Sequence, residues 1–251
     1  MTIHTLSILT VIYIRVFSEY VELLSEYEEN KLDHQDPLST FFTWKDKNGT
    51  PHLEDIKQNV NKTSPKVDIM IYFYSKYNPD KPVIFNARKV NEVTKTNFNP
   101  SKESLFIVHG WGNWYNSSVN IVIKEAVLKK HDVNIFVVDW SSISQNELYS
   151  TIYKLLPKLG ASVGKFIQGI TKRCRHRLSK IKMVGYSLGA HIAGIAGKTT
   201  KGQIKCIIGL DPAGPLFTLD DVKRRLNKGD AKYVEVSTKK CESAMKKGNV
   251  Q

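Results

Sequence analysis

The chain has 251 residues, of which 41% are hydrophobic and 24% charged, and this composition excludes a wholly disordered or fibrous protein. No apolar run reaches the roughly 18–20 residues of a membrane span, and three cysteines are too few for a dense disulfide scaffold. The net charge of +13 favours anionic partners: acidic lipid surfaces, glycans or nucleic acid.

The N-terminal sequence predicts export from the cell. Residues 6–14 form an apolar run of the size of a signal-peptide h-region, and the small residues Val16 and Ser18 predict cleavage after residue 18. We therefore predict a signal peptide over residues 1–18, with an ordinary buried segment as the alternative. N-glycosylation sequons, which favour secretion, begin at Asn48, Asn61 and Asn116. These features together predict a secreted, extracellular glycoprotein.

The charge is unevenly distributed along the chain. Residues 19–38 contain seven acids and one lysine, a net charge of −6, so the residues that follow carry +18. We predict an acidic polar leader over residues 19–66, helical or partly disordered. The basic remainder favours either plain solubility or attraction to an anionic interface. We expect no nucleic acid partner, because the sequence has no zinc-finger spacing and no RNP-type aromatic motif.

From residue 67 onward, short apolar runs alternate with longer helical patterns. The runs are rich in β-branched and aromatic residues, which predicts strands, and apolar residues at spacings of three and four predict helices. The predicted strands lie within 67–74, 82–85, 105–108, 134–140, 182–185, 206–210 and 233–236. The predicted helices cover 116–131, 149–174 and a stretch that begins at residue 188. This alternation predicts βαβ units and an α/β fold with a mostly parallel central sheet.

Residues Gly185-Tyr186-Ser187-Leu188-Gly189 match the G-x-S-x-G nucleophile elbow. In that motif the serine lies at the tip of a sharp turn between a strand and a helix, where side chains in place of the glycines would clash. The predicted buried strand before the motif and the helix rich in small residues after it supply the expected context. Ser187 is therefore the candidate nucleophile, and a plain βα turn that contains a serine is the alternative.

Asp211 is the candidate for the carboxylate that orients a catalytic base. It follows the predicted strand 206–210 and precedes Pro212, which ends that strand. The residue is thus predicted at the carboxyl edge of the sheet, where open α/β sheets form their sites. A turn aspartate that caps a helix is the alternative.

The third expected part is an oxyanion hole, which needs two backbone N–H donors. Leu188, the residue after the serine, is one candidate. The loop His109-Gly110-Trp111-Gly112 follows an earlier predicted strand, and its glycines let the backbone approach a substrate. We take the N–H of Trp111 as the second donor.

Four motifs, in this order, resemble those of the animal neutral lipase family, which includes pancreatic-type lipases, insect lipases and venom phospholipases A1. They are His109-Gly-Trp, Val138-Asp139-Trp140, Gly185-Tyr-Ser-Leu-Gly-Ala-His191 and Gly209-Leu-Asp-Pro-Ala-Gly-Pro215. The resemblance covers about residues 67–236. It implies an α/β-hydrolase fold that is incomplete at its C-terminal edge, with residues 237–251 as a divergent basic tail.

The same resemblance implies a function and roles for the candidate residues. The implied reaction is hydrolysis of lipid carboxylic esters, of the triacylglycerol lipase or phospholipase A1 type. It would take place at the surface of a membrane, lipoprotein or lipid droplet, including anionic surfaces. Ser187 would be the nucleophile, Asp211 the triad acid, and Trp111 and Leu188 the oxyanion donors. The sequence does not choose between triglyceride and phospholipid, since the family's lid, which governs the choice, has no counterpart in it.

The family's triad order is Ser, Asp, His, yet no histidine follows Asp211 in this sequence. His191 lies one helical turn after Ser187, about 6 Å along the helix axis, and His109 belongs to the oxyanion loop, so we expect neither to act as the base. We interpret His191 and Asp139 as structural. A C-terminal truncation or an incomplete gene model is the expected explanation. The alternative is a non-catalytic, secreted lipid-binding relative similar to yolk proteins.

A calcium site is a weaker implication of the resemblance. Some members of the family bind Ca²⁺ after the triad acid through backbone oxygens and two aspartates. The matching side chains here are Asn227 and Asp230, so one carboxylate is lost, and hard cations favour charged oxygen ligands. We expect no metal and no cofactor.

Overall fold

The computed structural model describes residues 65–238, together with the backbone of two further strands, β1 (Phe41–Lys45) and β2 (Pro51–Asp55). These two strands pair with each other in antiparallel fashion. This hairpin lies within the predicted acidic leader, residues 19–66, for which the sequence analysis predicted no strands. Its sequence signal is Asn48-Gly49 in the connection, a dipeptide typical of tight turns between strands. The predicted signal peptide, residues 19–38 and the tail from residue 239 lie outside the described residues.

The remaining strands form one seven-stranded sheet in the order β4-β3-β6-β5-β7-β8-β9. Strands β5 to β9 run parallel to one another, whereas β3 is antiparallel to both of its neighbours, β4 and β6. The strands are β3 (Met70–Tyr74), β4 (Val83–Asn86), β5 (Ser104–Val108), β6 (Asn134–Asp139), β7 (Ile181–Tyr186), β8 (Cys206–Leu210) and β9 (Tyr233–Ser237). A mostly parallel sheet with helical crossovers and an elbow after a central strand is the α/β-hydrolase fold, as predicted.

The helices cover both faces of this sheet. They are α1 (Ser118–Lys130), α2 (Ser141–Ser144), α3 (Tyr149–Cys174) and α4 (Leu188–Thr199). Because both faces are covered, every residue of β5, β6 and β8 is buried, which explains why these strands read as continuous apolar runs. One core cluster joins the sheet to α3 and α4, and a second joins the other face to α1.

The close packing of α3 against α4 depends on two glycines of α3. A Cβ atom on Gly160 would lie 2.4 Å from the Cβ of Ile195, and one on Gly164 would lie 2.4 Å from the Cβ of Thr199. The two helices can therefore approach each other only where α3 has no side chain. This contact fixes α4, and with it the turn that precedes α4, against the sheet.

No helix in the described part of the chain is both long enough and apolar enough to cross a membrane.

Candidate active site

Ser187 occupies the turn between β7 and α4, with backbone angles φ 53° and ψ −121°. A positive φ is strained for any residue with a side chain and is found mostly where surrounding structure enforces it. Here the serine N–H donates to the carbonyl oxygen of Leu210 at 3.0 Å, which ties the turn to the neighbouring strand β8. The predicted elbow is therefore present in the backbone.

The two glycines of the motif are required by space. A Cβ on Gly185 would lie 2.3 Å from the carbonyl oxygen of Gly189, and a Cβ on Gly189 would lie 2.2 Å from the carbonyl oxygen of Val108. Both contacts are with backbone, which cannot rotate away as a side chain would. The first glycine lets α4 turn back over β7, and the second lets α4 begin directly against the end of β5.

Asp211 lies at the same edge of the sheet as Ser187. Tyr186 and Leu210, the residues that precede them, are register partners on the adjacent parallel strands β7 and β8. Asp211 also has a positive φ, 44°, and its N–H donates to the carbonyl oxygen of Ser237 at the end of β9, at 2.7 Å. The two predicted residues thus emerge side by side at the carboxyl ends of neighbouring strands.

The glycine-rich loop after β5 lies against the serine. A Cβ on Gly110 would be only 3.1 Å from the Cβ of Ser187. Two hydrogen bonds hold the loop to the segment after β6. The backbone N–H of Gly112, a residue with φ 71°, donates to the carbonyl oxygen of Ser144, and the indole N–H of Trp111 donates to the carbonyl oxygen of Glu147. The structure therefore brings the predicted Trp111 loop beside the turn of Ser187 and the first residue of α4, Leu188.

Beneath this loop is a buried network that sequence reasoning assigned only in part. The Nε2 atom of His109 lies 3.1 Å from Asp139 Oδ1 and 3.1 Å from the backbone nitrogen of Trp140, and the ring stacks on the Trp140 indole. Asp139 Oδ1 accepts the N–H of Ser141 at 2.9 Å. Burial alone would raise the pKa of Asp139, but the bonds from His109 and Ser141 hold it below its usual value. The network fixes backbone, which agrees with the structural role predicted for Asp139.

His191 also has a structural role. Its Nε2–H donates to the carbonyl oxygen of Ala213 at 2.8 Å, its Nδ1 accepts the N–H of Leu226 at 3.0 Å, and its ring stacks on Phe217. Burial lowers the pKa of His191 to about 4, so the ring is neutral near pH 7. The side chain fastens the segment after Asp211 to α4, and both its nitrogens are occupied.

The two other described histidines lie at the opposite edge of the sheet. His176 contacts the hydroxyl of Ser104, the first residue of β5, and the carbonyl oxygen of Pro100. His131 directly follows α1 and precedes the start of β6. Among the residues that the structure describes, no histidine is therefore available to accept a proton from Ser187.

The residues that correspond to the implied calcium site do not fit a calcium ion. Asp230 is buried, and its Oδ2 accepts bonds from the ammonium of Lys198 at 2.6 Å and from the N–H of Asn227 at 2.8 Å. The same ammonium reaches the carbonyl oxygen of Arg225 at 2.8 Å. Burial raises the pKa of Asp230, and Lys198 offsets this only in part. The ammonium of Lys198 thus supplies the positive charge beside Asp230 that a calcium ion would otherwise supply. The two residues are 32 positions apart, so no local sequence pattern predicts their contact.

Comparison with known proteins gives one family. A family model described as Lipase matches residues 37–248. Lipoprotein lipase of Gallus gallus is 35% identical over 162 residues, which is 63% of this chain and 33% of that protein. Lipoprotein lipase of Homo sapiens is 36% identical over 146 residues, 57% of this chain and 30% of that protein. The chain thus spans about a third of the length of the curated relatives it matches.

Solved structures are more distant. An alpha/beta hydrolase enzyme from a deep-sea metagenome library aligns with a TM-score of 0.37 and 14% identity, over 78% of this chain and 68% of that one.

Proposed function

The chain belongs to the Lipase family, and we propose that it carries the nucleophile, the triad acid and the oxyanion hole of a serine-dependent lipid ester hydrolase. The observation that carries this proposal is the strained turn of Ser187, which abuts the Gly110 loop at the carboxyl edge of the sheet. A serine that only ends a strand needs neither a positive φ nor a second loop packed against it.

In the proposed reaction the Oγ of Ser187 attacks the carbonyl carbon of the ester while a base removes the hydroxyl proton. The tetrahedral oxyanion accepts hydrogen bonds from the N–H groups of Leu188 and Trp111. Leu188 is the first residue of α4, and the first N–H groups of a helix have no acceptor within it and carry the positive end of its dipole. Collapse expels the alcohol, which takes the proton, and water then hydrolyses the acyl-serine.

Asp211 would orient the base and stabilise its charged form. The base itself is proposed to be a histidine outside these 251 residues, since no histidine follows Asp211 and the four described ones have other places in the fold. The family relationship, the three sequons and the apolar run near the N-terminus support secretion and action on lipid at a membrane, lipoprotein or droplet surface. Triacylglycerol and phospholipid esters both suit this chemistry.

Labelling with a serine-directed fluorophosphonate tests the proposal. In a well-studied triad protease the loss of the histidine costs about 10⁶ in turnover, so the 251-residue chain should not be labelled within minutes. A chain extended by a histidine-bearing C-terminal segment of the family should be labelled. In that chain Ser187→Ala should abolish labelling, whereas Ser179→Ala, an exposed serine that precedes β7, should not.

Two results would change this view. Rapid labelling of the 251-residue chain that depends on Ser187 would show that another residue acts as the base. Lipid binding by the extended chain without any labelling would favour a non-catalytic lipid-binding protein.

A further inference from the structure

Helix α3 carries positive charge without any acidic residue in its 26 positions. Lys158, Lys165 and Lys172 recur every seven residues, are exposed, and fall within an arc of about 40° on the helix surface. They cover about 21 Å along the helix axis. We refer to these three residues as the lysine stripe.

Nothing in the described part of the chain neutralises the stripe. None of its three lysines forms an ion pair with a described acid, and the face of α3 opposite to them is packed against the sheet and α4. Several other lysines on the domain do have acidic partners: Lys95, Lys102, Lys182, Lys198 and Lys205. The stripe is thus a linear row of uncompensated charge.

The chain contains an acidic sequence with the same repeat. Glu22, Glu29 and Asp36 are also seven residues apart, within residues 19–38, whose net charge is −6. The opposite sign of charge and the equal spacing along the sequence favour residues 19–38 as the partner for the stripe.

The first described residues of the domain lie on the same face of the sheet as α3. Val67 and Ile69 are buried in the core cluster that contains the inner face of α3. The guanidinium of Arg88 donates to the carbonyl oxygen of Val67, and a Cβ on Gly169 of α3 would lie 2.7 Å from Val90, two residues further on. The N-terminal sequence is therefore tethered close to α3, which gives it a high effective concentration there.

We propose that residues 19–38 bind along α3 of the same chain, with Glu22, Glu29 and Asp36 facing the lysine stripe. Single exposed ion pairs are weak, so the contact depends on several pairs and on the tether. The bound segment covers basic surface that would otherwise attract an anionic lipid surface. Salt should release it, since charges in 1 M salt are screened beyond about 3 Å.

Zero-length carbodiimide cross-linking of the full 251-residue chain tests this contact. At low salt, mass spectrometry should find amide links from the acids of residues 19–38 to the stripe, and these links should be lost in 1 M sodium chloride. The variant Lys158→Gln/Lys165→Gln/Lys172→Gln removes the stripe. The matched control Lys76→Gln/Lys129→Gln/Lys130→Gln removes as many exposed charges from the part of the surface formed by β3 and α1.

The outcomes separate the alternatives. Acid-segment links that are enriched at the stripe in the unaltered chain and in the control support the proposal. Links spread over exposed lysines regardless of position, or none at all, would overturn it. In a mixture of ¹⁵N-labelled and unlabelled chains, links between the two isotopes would show instead that the segment binds a second copy. As a second measurement, Glu22→Gln/Glu29→Gln/Asp36→Asn should bind phosphatidylserine vesicles more tightly than the unaltered chain.

Discussion

Gly189 and Val108 approach each other so closely that a Cβ on the glycine would lie 2.2 Å from the valine carbonyl oxygen. The start of the helix after Ser187 is thereby fixed to the end of the strand that leads into the Gly110 loop. The proposed nucleophile and the proposed oxyanion loop therefore belong to one rigid contact, although they are far apart in the sequence.

The first prediction concerns this contact. Gly189→Ala should lower the free energy of unfolding by about 1–3 kcal/mol, the usual cost of forcing an atom into packed space. The matched control is Gly214→Ala, where an added Cβ meets nothing within 4 Å, and it should change stability little. Urea unfolding followed by circular dichroism gives both values. Equal stability of the two variants would show that Gly189 is replaceable.

The second prediction concerns pH. Because burial lowers the pKa of His191 from 6.5 to about 4, the unfolded chain binds more protons than the folded chain between these values. Stability should therefore fall as pH drops from 6.5 to 4, with about 3 kcal/mol from this residue. His176, whose pKa burial also lowers, acts in the same direction.

A variant isolates the contribution of His191. His191→Gln should be less stable than the unaltered chain at pH 7, because the bonds to Ala213 and Leu226 are perturbed, but its stability should depend less on pH over this window. Urea titrations at several pH values measure this slope. An unchanged slope would contradict the assignment to His191.

The third prediction concerns Lys198. Lys198→Met leaves the buried carboxylate of Asp230 without its ammonium partner and should cost about 1.5–3 kcal/mol, as for other hydrogen bonds to charged groups. Lys228→Met, an exposed lysine in the same turn, is the control and should be close to neutral. Since Lys198 supplies the cation, the melting temperature of the unaltered chain should be the same in calcium and in EDTA. A rise in calcium would mean that the ion displaces the lysine.

The fourth prediction concerns export. Asn116 is exposed in the turn before α1, so the sequon Asn116-Ser117-Ser118 is accessible to glycosylation. Expression in insect cells should give a secreted or membrane-enclosed, glycosylated protein. Asn116→Gln should lower the apparent mass on a gel by the mass of one glycan. Asn91→Gln, an exposed asparagine outside any sequon, should leave the mobility unchanged. A cytosolic, unglycosylated product would refute secretion.

The elements of the domain were predictable because their signals are local. The predicted helix 149–174 coincides with α3 (Tyr149–Cys174), since apolar residues recur along one of its faces, and the buried strands differ from prediction by only a few residues. The hairpin β1–β2 was missed, because the polar composition around it outweighed the short Asn48-Gly49 signal.

The site was predictable only where a motif spans consecutive residues. The G-x-S-x-G pattern led to Ser187, and the end of a predicted strand led to Asp211. The pairing of Lys198 with Asp230 and the stacking of His109 on Trp140 could not be predicted, since each joins residues about 30 positions apart through the folded sheet.

The glycines of α4 also bear on the order in which the protein folds. Gly189, Gly194 and Gly197 each cost a helix about 1 kcal/mol relative to alanine, so the 12-residue sequence of α4 has little helical tendency of its own. We expect a peptide that spans α4 to be largely non-helical by circular dichroism. The helix can form only once β5, β8 and the turn at Asp230 are in place to contact its glycines. The strained serine turn is then among the last parts to assemble, and partly folded chains should not display it.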